Sequence, residues 1–542
     1  MTLHPLGDSA VVVHVGREIS RETARMVQAL AEELRAVRLP GLTDVVPAFA
    51  SVALFFDEVG RVDVAGLEAE VAPRVARLAQ RGGRLDSRQV EIPVVYGGAE
   101  GADLEEVARR TGLAPAEVIA RHAGAEYFVN AIGFTPGFPY LGGLPAELAT
   151  PRRATPRPRV PAGAVGIGGS QTGVYPLESP GGWNLIGRTP LRLFDGRRSE
   201  PALLRAGDLV RFRPVPSAEW ESADGTGAAP NGHTPGGIEV VRPGMYTTVQ
   251  DLGRRGFRSG GVPVGGAADA WALRVANLLV GNEEGAAGLE FTLVGPELRF
   301  REDLWVALAG AEFADVPSGR PWRVRAGETL RFGEARCGCR GYLAVAGGID
   351  VPEILGSRST LMRAGMGGGH GRALAAGDRV AVARGRTPGP GQWQVDPRVL
   401  SVHRDPAVVR VVRGAEASEF PSDAWGTEFT VSRQSDRMGV RLEGPALVRQ
   451  KGAELISTPV APGTVQVPPD GHPILLLAEA QTIGGYPQWA HVITVDLPRV
   501  AQLRPGESVR FQEVSLAEAR ELWTARQRSL ALLREGLKGK WS

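Results

Sequence analysis

The chain contains very little cysteine and almost no lysine. Among its 542 residues, cysteine occurs only at Cys337 and Cys339, spaced C-G-C, and lysine only at positions 451, 538 and 540. Two thiols one residue apart cannot form a disulfide framework and make a poor metal site, which favours a reduced, cytoplasmic protein. Nearly all of the positive charge is arginine, so any lysine chemistry inside the folded body depends on Lys451.

Several signatures of known enzyme and membrane classes are also missing. The sequence has no G-x-x-x-x-G-K-[ST] loop, no strand-linked G-x-G-x-x-G and no G-x-S-x-G elbow, so a P-loop, a Rossmann site and a hydrolase elbow are unsupported. The 8 histidines form no close ligand pair, and we expect no metal. No segment reaches the ~18 apolar residues of a membrane span, and no signal-peptide pattern is present, so we expect no membrane association. The 62 basic and 60 acidic residues create no global field that favours nucleic acid.

Glycine and proline, by contrast, are abundant, with 72 and 41 residues. They concentrate at positions 126–190, in the motifs GFTPGFPYLGGL, PRRATPRPRVPAGAVGIGGSQTGVYP and SPGGWNLIGRTP. Glycine permits backbone angles and close approaches that other residues cannot adopt, and proline fixes φ. The segment therefore predicts rigid loops that carry arginine, glutamine, glutamate and tryptophan. We interpret these loops as one half of a binding or catalytic cleft.

The first part of the chain predicts a small α+β domain over residues 1–85. Residues 9–15 and 45–56 are strand-like, and apolar residues spaced three and four apart predict helices over 27–37 and 67–78. Two short helical patterns over 104–122 imitate a helix-turn-helix. The second of them offers Glu117, Arg121 and His122 rather than a basic reading face, so we predict no nucleic-acid partner.

Two further segments lie outside the strand-rich regions. Residues 216–237 have the composition of a linker, and we predict a hinge there between the two halves of the chain. Residues 515–542 predict an amphipathic helix, since Leu522, Trp523 and Leu530 lie among charged residues. This helix is either a terminal clasp or a site for a partner.

A short phrase recurs four times in the sequence. It reads LLRAGDLVRF near Gly207, RVRAGETLRF near Gly327, RALAAGDRVAV near Gly377 and QLRPGESVRF near Gly506. Each copy predicts a tight turn at the glycine, then an acidic residue and a strand that alternates apolar with polar residues. The repetition suggests several related β-barrel modules.

The motifs quoted from residues 126–190 resemble allophanate hydrolase subunit 1, or KipI, one of two modules that are paired in bacteria. Four later motifs resemble the second module, subunit 2 or KipA: RPGMYTTVQDLGRRGFRSGGVPVGGAAD, SDRMGVRLEGP, ISTPVAPGTVQVPPDGHPI and QTIGGYPQWAHVITVD. Together the resemblances cover roughly residues 5–514 and imply a KipI–KipA fusion, related to the carboxyltransferase region of urea carboxylase.

The resemblance also implies cyclophilin-like β-barrels in both halves. The predicted fold is mainly β with α+β, and the predicted domains follow the chain: 1–85 the small α+β domain, 86–215 the KipI-like barrel, 216–237 the linker, 238–514 a KipA-like β-barrel region of two subdomains, and 515–542 the C-terminal helix.

The function that the resemblance implies is that of the fused B and C components of an ATP-dependent 5-oxoprolinase-like hydrolase. Such an enzyme cleaves a C–N bond of a cyclic amide or of a urea-like compound together with a separate LamB/YcsF-type subunit, with ATP on this chain or on its partner. Biotin is not carried on this chain, because a Met-Lys-Met motif is absent. Allophanate hydrolysis itself is not expected, since the Ser-Ser-Lys arrangement of amidases in a Gly/Ser-rich loop is also absent.

Two alternatives stay open. One is a KipI–KipA regulator that binds a sensor histidine kinase, although an inhibitor fused to its antagonist would neutralise itself at high effective concentration. The other is the carboxyltransferase component of a biotin-dependent system.

Candidate site residues in the first half come from the glycine- and proline-rich loops. Guanidinium groups suit anions, carboxamides orient an amide, and a glutamate or histidine moves a proton. Anion binding is predicted for Arg153, Arg157 and Arg159. Orientation of an amide is predicted for Gln171 and Asn184, and proton transfer for Glu178 or His122. The alternative for each arginine is an ion pair that braces a loop. Tyr140 and Trp183 are expected to pack beneath the loops.

Candidate residues in the second half come from four motifs. The predicted catalytic residues are Asp251 and Asp269, and the latter alternatively caps the helix that follows it. The predicted substrate-binding residues are Gln250, Arg254, Arg437, Arg441, Gln481 and Tyr486. The glycine run at 365–371 is either a backbone nest for an anion or a hairpin tip.

Overall fold

The computed structural model describes residues 1–541 apart from positions 38, 58, 60–62, 82–86, 218–236, 388–392, 401–406 and 451–454. Except at its two ends, the linker predicted over 216–237 lies outside the described residues, and Lys451 lies outside them as well. No helix in the described part of the chain combines the length and the apolar character needed to cross a membrane.

The N-terminal domain is a four-stranded antiparallel sheet in the order β1-β2-β4-β3 with two helices on one face. Its elements are β1 (Thr2–Pro5), β2 (Ala10–His14), α1 (Arg21–Val37), β3 (Leu42–Pro47), β4 (Ser51–Phe56) and α2 (Val64–Arg81). The helices form where the apolar spacing predicts them, because that spacing places Val27, Leu30 and Leu34 of α1 in the domain core.

The first barrel is closed by seven strands in the order β10-β7-β6-β13-β5-β12-β9. The elements of this region are β5 (Gln89–Tyr96), α3 (Leu104–Thr111), α4 (Pro115–Gly124), β6 (Tyr127–Ile132), β7 (Pro139–Gly142), β8 (Arg157–Val160), β9 (Ala164–Gly168), β10 (Gln171–Val174), β11 (Ser179–Gly181), β12 (Asn184–Arg188) and β13 (Leu209–Pro214). Strands β8 and β11 pair separately, and α3 and α4 pack on the barrel core through Leu104, Val107 and Val118.

The second half begins with two facing sheets and not with a barrel. One sheet has the order β20-β17-β14-β22 and the other β15-β16-β21-β18-β19, and both contribute to one apolar core. The elements are β14 (Ile238–Arg242), β15 (Thr247–Gln250), α5 (Ala270–Leu279), β16 (Gly288–Thr292), β17 (Glu297–Phe300), β18 (Leu304–Phe313), β19 (Pro321–Val324), β20 (Thr329–Arg331), β21 (Ala335–Val345) and β22 (Arg379–Val380).

The second barrel repeats the strand order of the first. It is closed in the order β23-β30-β27-β28-β25-β24-β31, and its first and last strands pair in parallel, as β5 and β13 do in the first barrel. The elements are β23 (Ala407–Arg413), β24 (Glu428–Val431), β25 (Gly439–Glu443), β26 (Thr458–Pro459), β27 (Thr464–Gln466), β28 (Ile474–Leu476), β29 (Ile483–Gly484), β30 (Gln488–Val492), α6 (Leu497–Ala501), β31 (Ser508–Glu513) and α7 (Leu516–Leu537). The predicted barrels in both halves are therefore confirmed.

The recurring sequence phrase has the same local structure at all four positions. Each glycine adopts a left-handed φ between 86° and 97° and is followed by a strand, namely β13, β20, β22 or β31. The acidic residue after each glycine accepts a hydrogen bond from the backbone N–H three residues before it, at 2.7 or 2.8 Å. The predicted turn is confirmed, but only the first and last copies lead into barrel strands.

The two halves interlock through contacts that do not involve the linker. The Asp44 carboxylate of β3 accepts hydrogen bonds from the backbone N–H groups of Gly256 and Arg258, at 3.1 and 3.0 Å. The Asp8 carboxylate accepts from the backbone N–H and the hydroxyl of Thr494, at 2.8 and 2.6 Å. These bonds hold the N-terminal domain against both parts of the second half, while the hinge predicted at the linker stays a prediction.

Candidate functional site

A cleft of about 1210 Å³ lies between the two barrels. Loops of the first half line one wall, and the loops around β26, β27 and β29 of the second half line the other. The first-half segment that the sequence assigns to half of a cleft therefore does line one, and the partner half comes from the other barrel.

The turn between β6 and β7 brings the two walls together. Gly133 approaches Ile483 of the second barrel so closely that an added Cβ would lie 2.9 Å from that side chain. The next residue, Phe134, has a φ of 66°, a left-handed conformation that is uncommon for residues other than glycine. Such strain persists only where the surrounding structure imposes it, and it clusters at functional sites. Phe134 itself lines the cleft.

The first wall presents four polar side chains to the cleft. They are the phenol of Tyr140, the guanidinium of Arg152, the hydroxyl of Ser170 and the carboxamide of Gln171. Burial raises the pKa of Tyr140 to about 12, although Arg152 acts in the opposite direction, so the phenol stays protonated at neutral pH. Arg152 makes no ion pair or hydrogen bond with any residue that the structure describes, which leaves its guanidinium open to a ligand.

The second wall presents Ser457, Gln481 and Tyr486, beside the glycine pair at 484–485. Tyr486 is 45% exposed, while Gln481 is partly buried. Asp470 lies at the exposed rim of the same wall. Two carboxamides from opposite walls, Gln171 and Gln481, thus line one cleft together with an open guanidinium. This set suits a small ligand that carries both an amide and a carboxylate.

Four of the residues predicted for the first half form ion pairs outside the cleft. Arg153 and Arg157 both bind the buried carboxylate of Asp103, at 3.0 and 2.8 Å. The same carboxylate accepts a hydrogen bond from the backbone N–H of Leu185 at 2.7 Å. The Arg159 guanidinium pairs with Glu178 at 2.7 Å on the exposed surface.

Asn184 lies outside the cleft lining as well, and Trp183 packs as predicted. The Asn184 amide donates to the backbone carbonyls of Pro151 and Ile167, at 2.9 and 3.2 Å. Trp183 is buried and stacks edge-on against Phe138, as the sequence predicts. Their contacts fix the shape of the loops that form the first wall.

His122 lies inside the first barrel and not in the cleft. Its ring is fully buried and stacks on Phe212 with 4.6 Å between ring centroids. Nδ1 lies 2.8 Å from the Tyr96 hydroxyl, and Nε2 lies 2.9 Å from the hydroxyl of Thr172, which itself donates to the Gly166 carbonyl. The geometry fits a neutral imidazole that accepts from Tyr96 at Nδ1 and donates to Thr172 from Nε2.

We expect the buried imidazoles to make the protein acid-sensitive. Burial lowers the pKa of His122 to about 3 and that of His491 to about 4, whereas an imidazole in the unfolded chain has a pKa near ~6.5. Between these values the unfolded state binds more protons, so stability is complete above pH ~6.5 and falls as the pH drops, by roughly 1.4 kcal/mol per pH unit for each residue.

The measurement is urea unfolding at several pH values between 7.5 and 4.5 for the parent and for His122→Gln. The variant keeps a polar side chain but cannot gain this proton. The decrease in its free energy of unfolding with falling pH should therefore be smaller than that of the parent by roughly 1.4 kcal/mol per pH unit. Equal slopes for the two proteins would contradict the assignment of a neutral buried His122.

A buried hydrogen-bond network in the second half contains Gln250, Asp251 and Arg254. The Asp251 carboxylate accepts from the hydroxyls of Ser357 and Ser359, at 2.7 and 2.5 Å, and from the backbone N–H of residue 358 at 2.6 Å. Arg254 donates to the carbonyl of Ser359, and the Gln250 amide donates to the Thr248 hydroxyl at 3.0 Å. These hydrogen bonds fix the conformation of the loop at 354–360.

Asp269 caps α5 by accepting the Ala272 N–H at 2.8 Å, the alternative that the sequence leaves open. Its other oxygen accepts from the Gln502 amide at 2.8 Å, and burial raises its pKa to about 6. Arg437 is buried in an ion cluster with Glu290 and Glu479.

Two further sequence motifs lie elsewhere. Arg441 is exposed on β25. The glycine run at 365–371 lines a separate cavity against the loop at 188–197 of the first barrel. Of the predicted site residues, the cleft therefore contains Gln171, Gln481 and Tyr486. Whether they or the others act on a substrate stays a prediction.

Sequence reasoning missed Arg152, Ser457 and Phe134 as lining residues, and Tyr140, expected to pack beneath the loops, both packs against Phe138 and lines the cleft. Arg152 stands beside Arg153 in PRRATPRPR, and the sequence gives no sign that Asp103, about fifty positions earlier, binds the second arginine and leaves the first open. Ser457 lies in the motif ISTPVAPGTVQVPPDGHPI, but nothing in that motif distinguishes its hydroxyl as one that faces the cleft. The unusual φ of Phe134 also has no sequence signal, although the glycine and proline around it mark a turn.

Comparison with known proteins supports the division into two modules. Residues 260–513 match the carboxyltransferase domain, subdomains A and B, and residues 1–204 match the carboxyltransferase domain, subdomains C and D. The chain is 43% identical over 292 residues to the C subunit of 5-oxoprolinase from Escherichia coli strain K12, covering 52% of this chain and 93% of that protein. It is 44% identical over 229 residues to the B subunit of 5-oxoprolinase from Bacillus subtilis strain 168, covering 41% of this chain and 95% of that protein.

Among solved structures, the crystal structure of TTHA0988 superimposes with a TM-score of 0.77 at 38% identity, over 93% of this chain and 99% of that protein. The predicted fusion of two paired modules is thus confirmed. Because each half covers more than nine tenths of one separate relative, the chain belongs to the carboxyltransferase-domain family of the B and C subunits of 5-oxoprolinase and carries both modules in one polypeptide.

Proposed function

We propose that the protein is the fused B and C component of an ATP-dependent 5-oxoprolinase-like hydrolase and that its substrate binds in the cleft between the barrels. The observation that carries this proposal is the near full-length match of the halves to the C and B subunits, at 43% and 44% identity, together with their joint formation of one cleft. The third component is a separate subunit of the LamB/YcsF type.

The cleft residues fit a five-membered lactam that carries a carboxylate. Arg152 is an open guanidinium that binds a carboxylate through two parallel hydrogen bonds, and Gln171 and Gln481 complement the N–H and C=O of the ring amide. Tyr140, with its pKa near 12, donates a hydrogen bond and does not act as a base. The described cleft residues therefore bind and orient the substrate.

Opening an unstrained lactam requires activation, because resonance stabilises the amide bond. Transfer of the γ-phosphoryl group of ATP to the amide oxygen releases ADP and leaves a phosphate as leaving group. Water then adds to the carbon that bears the phosphorylated oxygen, and the C–N bond breaks with proton transfer to the ring nitrogen, which leaves the acyl phosphate of glutamate. A second water hydrolyses this acyl phosphate and releases glutamate and phosphate. We assign the binding of ATP to this chain or to its partner subunit.

The test is reconstitution. The full chain is co-purified with a LamB/YcsF-type subunit, and glutamate and ADP are measured with 5-oxoproline as substrate. We expect equal amounts of both products from the complete mixture and none when ATP, the third subunit or this chain is left out. A complex that assembles in solution but forms no glutamate would overturn the proposal.

The carboxyltransferase matches favour a second candidate, transfer of a carboxyl group from carboxybiotin on another chain. Free biotin distinguishes the two candidates, because only the carboxyltransferase candidate predicts that biotin binds the cleft and competes with the amide substrate. The kinase-regulator alternative stays a prediction from the sequence.

A further inference from the structure

A second cavity of about 450 Å³ lies where the N-terminal domain, the loop and helix at 252–274, the second barrel and α7 meet. We call it the junction pocket and define it by Phe55, Arg258, Trp271, Trp523 and Arg526, which line it from these different parts of the chain. It shares no lining residue with the cleft between the barrels. Its size lies within the ~300–1,000 Å³ that is usual for small-molecule sites.

Arg255, Arg258 and Arg526 line this pocket without an ion-pair partner among the described residues, whereas Arg274 of the same lining pairs with Glu284. The Arg258 guanidinium lies 4.0 Å above the centre of the Phe55 ring, and that of Arg526 lies 4.5 Å above Trp271. Neither guanidinium forms an ion pair or hydrogen bond with a residue that the structure describes, and the same holds for Arg255, which lines the same pocket. Burial lowers the pKa of Arg258 to about 10; the Asp44 carboxylate opposes this shift only in part, and Arg255 adds to it.

The carboxylates near these arginines are occupied by other donors. Asp44 accepts the backbone N–H groups of residues 256 and 258, and Asp8 accepts from Thr494. Asp269 accepts from Ala272 and Gln502. A partly buried cation without an ion-pair partner is costly, and the aromatic contacts and the neighbouring carboxylates, which are engaged by other donors, offset only part of that cost. An anion that enters the pocket would complete the charge balance.

The rest of the lining combines aromatic and aliphatic side chains with polar ones, among them Asp8, Thr43, Asp57 and Gln527. Phe55, Trp271 and Trp523 line the pocket together with aliphatic residues from the barrel loops and from α7. We propose that the junction pocket binds an oxyanion carried on a flat apolar body, with Arg258 and Arg526 holding the oxyanion and the aromatic side chains holding the body. The ligand class is an aryl or heteroaryl phosphate or carboxylate, and α7 closes the site.

The full chain is titrated by calorimetry with phenyl phosphate, with benzoate and with inorganic phosphate. We expect one site per chain for at least one aromatic anion, bound at least tenfold more tightly than inorganic phosphate. Tighter binding of phenyl phosphate or of benzoate then identifies the anion as phosphate or carboxylate. The proposal is wrong if neither aromatic anion binds, or if inorganic phosphate binds as tightly as both.

Arginine variants test where the anion binds in the junction pocket. Arg258→Met and Arg526→Met should each weaken binding at least tenfold, because a charge-assisted hydrogen-bond pair is lost. Arg528→Met is the matched control, since this arginine is exposed on α7 and does not line the pocket. If Arg258→Met does not fold, Arg526→Gln on the terminal helix carries the test alone. Unchanged affinity in Arg526→Gln, or loss of binding in the cleft variant Arg152→Met, would overturn the assignment.

Discussion

Replacing Arg437 with methionine is expected to lower the free energy of unfolding by about 3–5 kcal/mol, the range for breaking a buried ion pair by removing one partner. Arg437 is 5% exposed, and its two partners Glu290 and Glu479 are 1% and 5% exposed. The guanidinium donates to Glu479 at 2.6 Å, to Glu290, and to the carbonyl of Gly266 at 2.6 Å. Without it, two carboxylates remain buried with no cation between them.

The cluster also joins two parts of the second half. Glu290 lies on β16 of the facing sheets, whereas Arg437 and Glu479 flank strands of the second barrel. Tyr342 donates its hydroxyl proton to Glu290 at 2.8 Å, so the network reaches the strand next to β16. Burial raises the pKa of Glu290, but Arg437 and Arg340 outweigh it and hold the pKa below its ordinary value. Removing Arg437 therefore takes away the attraction that keeps this carboxylate charged.

Urea unfolding at pH 7.5 measures the effect, with Arg441→Met as the matched control. Arg441 lies four positions further along and is exposed, so its substitution should change stability by less than about 0.5 kcal/mol. The combination of Arg437→Met with Glu290→Gln should recover part of the loss, because the pair is coupled. A loss below about 1 kcal/mol in Arg437→Met would show that the cluster is not the buried network described above.

The sequence predicts the barrels and three of the residues that line the cleft, Gln171, Gln481 and Tyr486. The four turn phrases depend on local chemistry alone, a glycine with positive φ and an acidic side chain three residues after a backbone donor, so they could be predicted. The partners of Arg153 and Arg157 could not, because Asp103 binds them across about fifty residues of chain. Spacing in sequence carries no information about such a contact.

The same limit explains the residues of the second half. The sequence offers Asp251, Asp269 and Arg437 as site residues because they stand in motifs that carry the family resemblance. In the fold each is buried against partners 100 or more positions away, such as Ser359, Gln502 and Glu290. Gln481 does line the cleft, since its loop follows β28 and lies against the first barrel. A buried network and an open site use the same residue types, and only the fold separates them.

In the reconstituted enzyme, Arg152→Met is expected to lower kcat/KM for 5-oxoproline by about 10²-fold, equal to ~2.7 kcal/mol. This expectation depends on the proposed function. Hydrogen bonds between charged groups contribute roughly 1.5–3 kcal/mol each, and a guanidinium binds a carboxylate through two of them. Arg152 lines the cleft and makes no described ion pair that could compete with the substrate.

The matched control is Arg159→Met, which removes a guanidinium from the same loop region. Arg159 pairs with Glu178 at 2.7 Å and does not line the cleft, so kcat/KM should stay within about twofold of the parent. The loss in Arg152→Met should appear mainly as a higher KM, because a substrate carboxylate remote from the reacting amide is bound equally in the ground state and the transition state. Equal activity of the two variants would mean that the substrate carboxylate binds elsewhere, and the cleft would then lose its assignment as the substrate site.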